Sequence, residues 1–341
     1  MHGVLPLVYH TLKNYQKNIP KDVFQNIKSI NMDIVKQNML MTAELIKITK
    51  LLEEHGIESI PFKGPTLSHI AYGDITLRQY VDLDILIDKK NIKNVYDILI
   101  DNDFQVKFDK KFLNNEIFID TNSDIQFFNK KNNILIEVHW KLFRNQFSKK
   151  VNLKEIIYNT KNIFINNIKI EIFSNEVLLV YLCMHGSKHF WERIEWILDI
   201  DKLVRVSPDL NWNKIIELSE LFESSIMVNL GLYLSHKYFG TKIPANFCTK
   251  KRIVYCQMLE KKVLDIMNNN IQTEFERNFT SFKFHYYLND NVIHRLKFLY
   301  RTFLPLKDTD ISFNLPKYLK IGYFILKPFR LLIKYIAKGF H

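Results

Sequence analysis

The feature that most constrains this chain is a ten-residue run, Arg78-Gln79-Tyr80-Val81-Asp82-Leu83-Asp84-Ile85-Leu86-Ile87. Its apolar and polar side chains alternate over residues 80–87, the pattern of a β-strand. Successive side chains on a strand leave opposite faces. Asp82 and Asp84 therefore project together, while Val81, Leu83, Ile85 and Ile87 project the other way, into a core. Two adjacent carboxylates repel each other, and burying them is costly unless a cation lies between them. Hard oxygen ligands of this kind suit Mg²⁺, which keeps some of its waters and also binds substrate phosphates. The plainer alternative is a solvent-facing strand surface, since a lone Asp-x-Asp often arises by chance.

A second alternating run, Ile134-Leu135-Ile136-Glu137-Val138-His139-Trp140, places Ile136 and Val138 on one face and Leu135, Glu137 and His139 on the other. A third carboxylate at Glu137, on a neighbouring strand, would complete a two-metal site. One cation would activate an attacking hydroxyl and the other would steady a leaving pyrophosphate. Upstream, Pro61-Phe62-Lys63-Gly64-Pro65-Thr66-Leu67 reads as a strand end followed by a helix start. Gly64 permits close backbone approach, the helix N-terminus favours phosphate and Lys63 adds a point charge. An exposed strand position for Glu137 and an ordinary strand-to-helix turn with a surface lysine remain open for these two pieces.

Strand signals cluster between about residues 57 and 173: 57–62, 80–87, 104–108, 125–128, 134–140 and a hairpin over 163–173 bending at Asn166-Asn167. Helical periodicity fills residues 1–55, where Gly56 suits a cap, and also 66–72 and 90–100. From Ser174 onward the pattern is helical almost to the end, punctuated by Pro208, Pro244, Pro305, Pro316 and Pro328. The expected architecture is α+β, with a mixed sheet flanked by helices and then a mostly helical part. The expected segments are an N-terminal helical segment at 1–55, a catalytic domain at 56–173, a helical domain at 174–310 and a basic amphipathic tail at 311–341.

With 47% hydrophobic and 25% charged residues, the chain is globular rather than disordered. Nine glycines and nine prolines in 341 residues argue against repeats and long flexible linkers. The formal net charge of +12 suits a polyanionic partner, whether nucleotide, nucleic acid or anionic membrane, and equally suits solubility. Cys183, Cys248 and Cys256 lack metal-ligand spacing and read as reduced core thiols of a cytoplasmic protein. The apolar stretch at the N-terminus is too short for a membrane span and lacks a signal-peptide layout.

Taken together, Phe62-Lys63-Gly64, Tyr72-Gly73-Asp74, Arg78 and Asp82-Leu83-Asp84-Ile85-Leu86-Ile87 resemble the core of the bacterial uncharacterised nucleotidyltransferase family, part of the polymerase-β-like superfamily. Glu137-Val138-His139-Trp140 resembles its next motif. His185-Gly186-Ser187-Lys188-His189, with Arg193, Trp196 and Asp199, resembles its helical motif. The stretch from Leu315-Pro316 to Pro328-Phe329-Arg330-Leu331 is similar to its tail. The resemblance implies that Asp82, Asp84 and Glu137 hold Mg²⁺ (or Mn²⁺) and that Lys63, Gly64 and Arg78 lie near the nucleotide phosphates. Many superfamily members carry a Gly-Ser pair before the acidic pair. Lys63-Gly64-Pro65 stands there instead, which leaves the phosphate contacts open.

His185 and His189 fall four apart on one helical face that Lys188, Glu192, Trp196 and Asp199 extend. A substrate-facing wall of the cleft, a structural hydrogen-bonded stripe and a separate zinc site are the three readings. The zinc reading lacks a third ligand nearby. His139 is a further substrate-facing candidate. From Lys327 to Lys338 charges recur at helical spacing, so the tail would either lie on an anionic membrane surface or pack on the protein body. The expected activity is transfer of a nucleoside monophosphate from an NTP to an acceptor bearing a hydroxyl or phosphate. The alternative is a non-catalytic nucleotide-binding or membrane-associated scaffold, and nucleic acid binding is a further rival.

Overall fold

The computed structural model describes residues 2–107, 109–142, 159–247, 249–268, 274–289 and 292–303. The chain opens with α1 (Leu5–Leu12) and the long α2 (Lys21–Glu54). Helix α2 ends in a Schellman motif. Gly56, at φ 69°, donates to the Glu53 carbonyl at 2.8 Å, and Ile57 donates to the Leu52 carbonyl at 2.9 Å. Ile57 and Leu52 pack in the same core, the apolar contact that usually accompanies this cap.

Five strands then form one mixed sheet in the order β1-β2-β5-β4-β3. They are β1 (Ser59–Pro61), β2 (Asp82–Ile87), β3 (Gln105–Val106), β4 (Asp124–Asn129) and β5 (Ile134–His139). β2 and β5 run parallel and every other pairing is antiparallel. Helices α3 (Gly64–Tyr72), α4 (Ile92–Asp101) and α5 (Glu116–Thr121) lie between strands. The hairpin β6 (Thr160–Ile165) and β7 (Ile168–Phe173) turns at Asn166 and Asn167, whose φ angles of 50° and 62° are those a tight hairpin turn needs.

The remaining described chain is helical: α6 (Asn175–Lys188), α7 (Ile194–Arg205), α8 (Trp212–Leu221), α9 (Ser225–Phe239), α10 (Lys250–Met267), α11 (Glu274–Tyr287) and α12 (Val292–Phe303). α6 is apolar nearly all round and is the central helix, with Ser174 capping its start through the Val177 amide. The architecture is thus α+β, a mixed sheet flanked by helices and followed by a helical region.

Two hydrophobic cores meet at β2. Leu83, Ile85 and Ile87 pack with Ile136 and Val138 of β5 and with Met41, Leu45 and Ile48 of α2. On the other side Leu86 joins Ile60, Phe62, Leu67 and the helices α6 to α9. Val81, expected in the core, is 61% exposed because it precedes the first residue of β2. Cys183 and Cys256 are buried, and neither is in a disulfide. Among the described residues, no helix is long and apolar enough to cross a membrane. Cys248 and the expected basic tail at 311–341 lie outside the described residues.

Candidate metal and nucleotide centre

The parallel pairing of β2 with β5 sets Asp84 directly opposite Glu137, and Leu86 opposite His139. Side chains that share a face on adjacent strands lie close together, so Asp84, Glu137 and His139 converge. One ligand atom from each lies within 4.8 Å of the others, and together they form a group able to hold a metal ion. Gln126, opposite Glu137 on β4, donates to Glu137 Oε1 at 2.7 Å and fixes that carboxylate. Asp82 sits one pleat back on the same face of β2. It interacts electrostatically with Asp84, Glu137 and Lys63 but stands outside the three-residue group.

Asp84 is only 2% exposed, and both its oxygens are engaged. Lys63 Nζ lies 2.9 Å from Oδ2, and His139 Nε2 lies 3.0 Å from Oδ1 and 3.5 Å from Glu137 Oε2. Burial alone would raise the Asp84 carboxyl, but Lys63 and His139 outweigh it and hold it at about 2. Burial would likewise lower His139, yet the bonds to Asp84 and Glu137 carry it up to about 9. Burial pushes Glu137 up, and the His139 bond reverses the direction, leaving it below its ordinary value. Asp82 shows the cost of crowding: burial, then the Asp84 charge, raise its carboxyl against the pull of Lys63. Three carboxylates in one buried corner, with one still driven toward its neutral form, match the donor set of a hard divalent cation.

Lys63 reaches this corner because Pro61 pairs with Ile85 and the Phe62 amide donates to the Asp84 carbonyl at 3.2 Å, which carries the chain past the acidic pair. Gly64 then starts α3 at φ 50°. A Cβ there would lie 3.3 Å from the Asp82 carbonyl oxygen, so its backbone runs close beside β2.

Arg78, expected near the phosphates, is held by a carboxylate of the helical region. Its guanidinium grips Asp199 of α7 through two bonds of 2.8 and 2.9 Å, and Tyr72 donates to the same carboxylate at 2.7 Å. Arg78 and Asp199 are buried, and Tyr72 is partly buried. The cluster ties α3 and the loop before β2 to the helical region. Asn38 of α2 holds the same loop from the other side, donating to the carbonyls of Ile75 and Arg78 at 2.8 Å each. Sequence reasoning did not single out Asn38, although a polar residue inside the apolar stripe of α2 is a usable signal. Tyr181 was also missed. It lies on α6 one turn before His185, where the electrostatics of Lys63, Asp84 and Glu137 reach its ring.

His185 and His189 lie together at the end of α6, with ring centroids 4.8 Å apart. Trp196 of α7 stands 5.4 Å from each. Neither histidine belongs to a group able to hold a metal among the described residues, so the zinc reading finds no support. Lys188 ends α6, and its carbonyl meets His285 Nε2 of α11 at 3.1 Å.

No curated protein matches the chain. The model of the uncharacterised nucleotidyltransferase family matches residues 1–240, which take in the whole acidic corner and the helical histidines, and the chain belongs to that family.

Proposed function

We propose that the chain transfers a nucleoside monophosphate from an NTP to an acceptor bearing a hydroxyl or phosphate, with Asp82, Asp84 and Glu137 holding Mg²⁺ or Mn²⁺. Family membership supplies nucleotidyl transfer as the reaction class and a nucleotide as substrate. The observation that carries the finer reading is the register of Asp84 against Glu137 on parallel strands, with Asp82 on the same face. Bound there, divalent metal supplies Lewis-acid activation of the attacking oxygen and charge neutralisation on the triphosphate. In the transfer, the acceptor oxygen forms a bond to the α-phosphorus, the bond to the β-phosphate bridge breaks, pyrophosphate leaves and the acceptor proton passes to solvent.

The chain's own residues do the positioning. Lys63 balances triphosphate charge beside Asp84. Gly64 lets the start of α3 approach the phosphates. Glu137, fixed by Gln126, orients the attacking group, and His139 steadies the two carboxylates it touches. Arg78 acts at one remove, holding the loop before β2 through Asp199. Residues 56–173 form the catalytic part. The helices that follow close the cleft, with His185, Lys188 and His189 facing substrate.

Incorporation of labelled nucleotide across a panel of acceptors, with Mg²⁺, tests this reading. Asp82→Asn and Asp84→Asn should each lower the rate by at least about a hundredfold, the scale of a lost catalytic electrostatic contact. Variants as active as the parent would end the assignment.

One observation favours a second reading, a non-catalytic nucleotide-binding scaffold: both Asp84 oxygens are already held by Lys63 and His139. Calorimetry separates the two, because NTP binding without turnover on any acceptor would select the scaffold.

A further inference from the structure

The end of α6 carries an aromatic array that the transfer chemistry does not use. His185 stacks on Tyr181 with centroids 5.8 Å apart and planes 24° apart. Tyr181 meets Phe62 edge-on at 5.0 Å, and Phe62 meets His139 edge-on at 5.2 Å. Ring contacts therefore run unbroken from the acidic corner to His189, and Trp196 backs both outer histidines.

The fold holds the outer end of this array firmly. Immediately after His189 come Phe190 and Trp191 at φ 59° and 54°, two successive aromatic residues in the left-handed region. That conformation persists only where packing over-determines it. Here the Trp191 ring is fully buried against two glycines. A Cβ on Gly186 would lie 2.3 Å from it, and one on Gly231 3.0 Å. The backbone at the helix end, immediately after His189, is thereby fixed.

The chemistry of the array is that of uncharged rings. Burial, then Lys188 and Lys63, bring His189 down to about 3, and burial lowers His185 as well. Neither imidazole supplies a cation for phosphate, and neither joins the metal-holding group found among the described residues. Both remain partly open to solvent. A planar, neutral, half-open surface beside a phosphate-handling corner fits a planar, neutral partner.

We propose that His189, backed by His185 and Trp196, is the face on which the base of the nucleotide substrate stacks, a reading that rests on the nucleotidyl-transfer assignment of the acidic corner. Every base has a π-face, so this contact tolerates all four.

Calorimetry on the full chain in Mg²⁺ tests it, with two probes: α,β-methylene-ATP, whose α-phosphorus bridge cannot be cleaved, and inorganic tripolyphosphate. Loss of one stacked base weakens binding by about 5- to 150-fold. His189→Ala should therefore lose that much affinity for the nucleotide analogue and keep its affinity for tripolyphosphate. His189→Phe, with a ring restored, should recover the analogue. An unchanged analogue affinity in His189→Ala, an equal loss for both probes, or no recovery in His189→Phe would each overturn the stacking assignment. Binding of tripolyphosphate but not of the analogue by the parent chain overturns the stacking face alone. Binding of neither probe removes the acidic-corner assignment along with it.

Discussion

Gly186 and Glu195 show how single residues are committed around the site. Gly186 lies in the last turn of α6, and glycine inside a helix costs up to roughly 1 kcal/mol relative to alanine. Its justification is the Trp191 ring, which occupies the space a side chain would need. Gly186→Ala should thus destabilise the chain by about 1–3 kcal/mol despite the better helix propensity, as overpacking does. Urea unfolding checks the sign, and a stabilised variant would contradict the packing. Glu195 is a buried carboxyl whose ordinary value of 4.5 is raised to about 7, first by burial, with Asp199 adding to it against Arg78 and Arg193. Between those two values the folded form keeps a proton that the unfolded chain has released. Stability therefore falls as pH rises from about 4.5 to about 7 and levels off above that. The full span is of the order of 3 kcal/mol, since one unit corresponds to about 1.4 kcal/mol. Glu195→Gln cannot ionise and should flatten this descent, which unfolding curves measured across the window would reveal.

Among elements, the decisive link is the Tyr72–Asp199–Arg78 cluster that joins α3 and the β2 approach to α7. Removing one member of a buried pair strands the other charge. Asp199→Ala should accordingly cost about 3–5 kcal/mol, while replacing Arg78 and Asp199 together by apolar residues of similar size should recover most of that loss. A double-mutant cycle by chemical denaturation measures the coupling, and additive losses would show that the pair is not coupled. Such a link was not legible in the sequence. Alternation over residues 80–87 and 134–140 disclosed two strands and which face their carboxylates share, because a period of two is local. Asn166-Asn167 disclosed the hairpin bend for the same reason. That β2 would lie parallel and adjacent to β5, rather than beside some other strand, depends on the whole sheet, so the meeting of Asp84 with Glu137 could be expected only through family resemblance. Arg78 was placed near the phosphates by the resemblance alone, and its pairing with Asp199 could not be read because that residue lies far along the chain. Val81 continued the alternation on paper, but the strand begins one residue after it.

For the molecule as a whole, the acidic corner lies on the seam between two cores. Leu83 and Ile85 belong to the core on α2, while Phe62 and Leu86 belong to the core of the helical region. The buried Asp84 already has protein partners in Lys63 and His139. Folding of the chain should therefore not require a cation, unlike that of small domains built around a structural metal. A chelator should leave the melting temperature of the purified chain unchanged. A nucleotide bound as proposed would differ, because it would touch Lys63 and α3 from one side and the α6 histidines from the other, and would bind only the folded form. At a hundredfold excess over its dissociation constant, a ligand of that kind stabilises by about 2.7 kcal/mol. Mg²⁺ with α,β-methylene-ATP should raise the melting temperature of the parent chain by several degrees. Asp84→Asn should fold yet lose most of that rise, because the carboxylate proposed to hold the metal, and paired with Lys63, is gone. A chelator-induced collapse of the parent would show that the cation is structural, and an equal rise in Asp84→Asn would place the nucleotide away from β2.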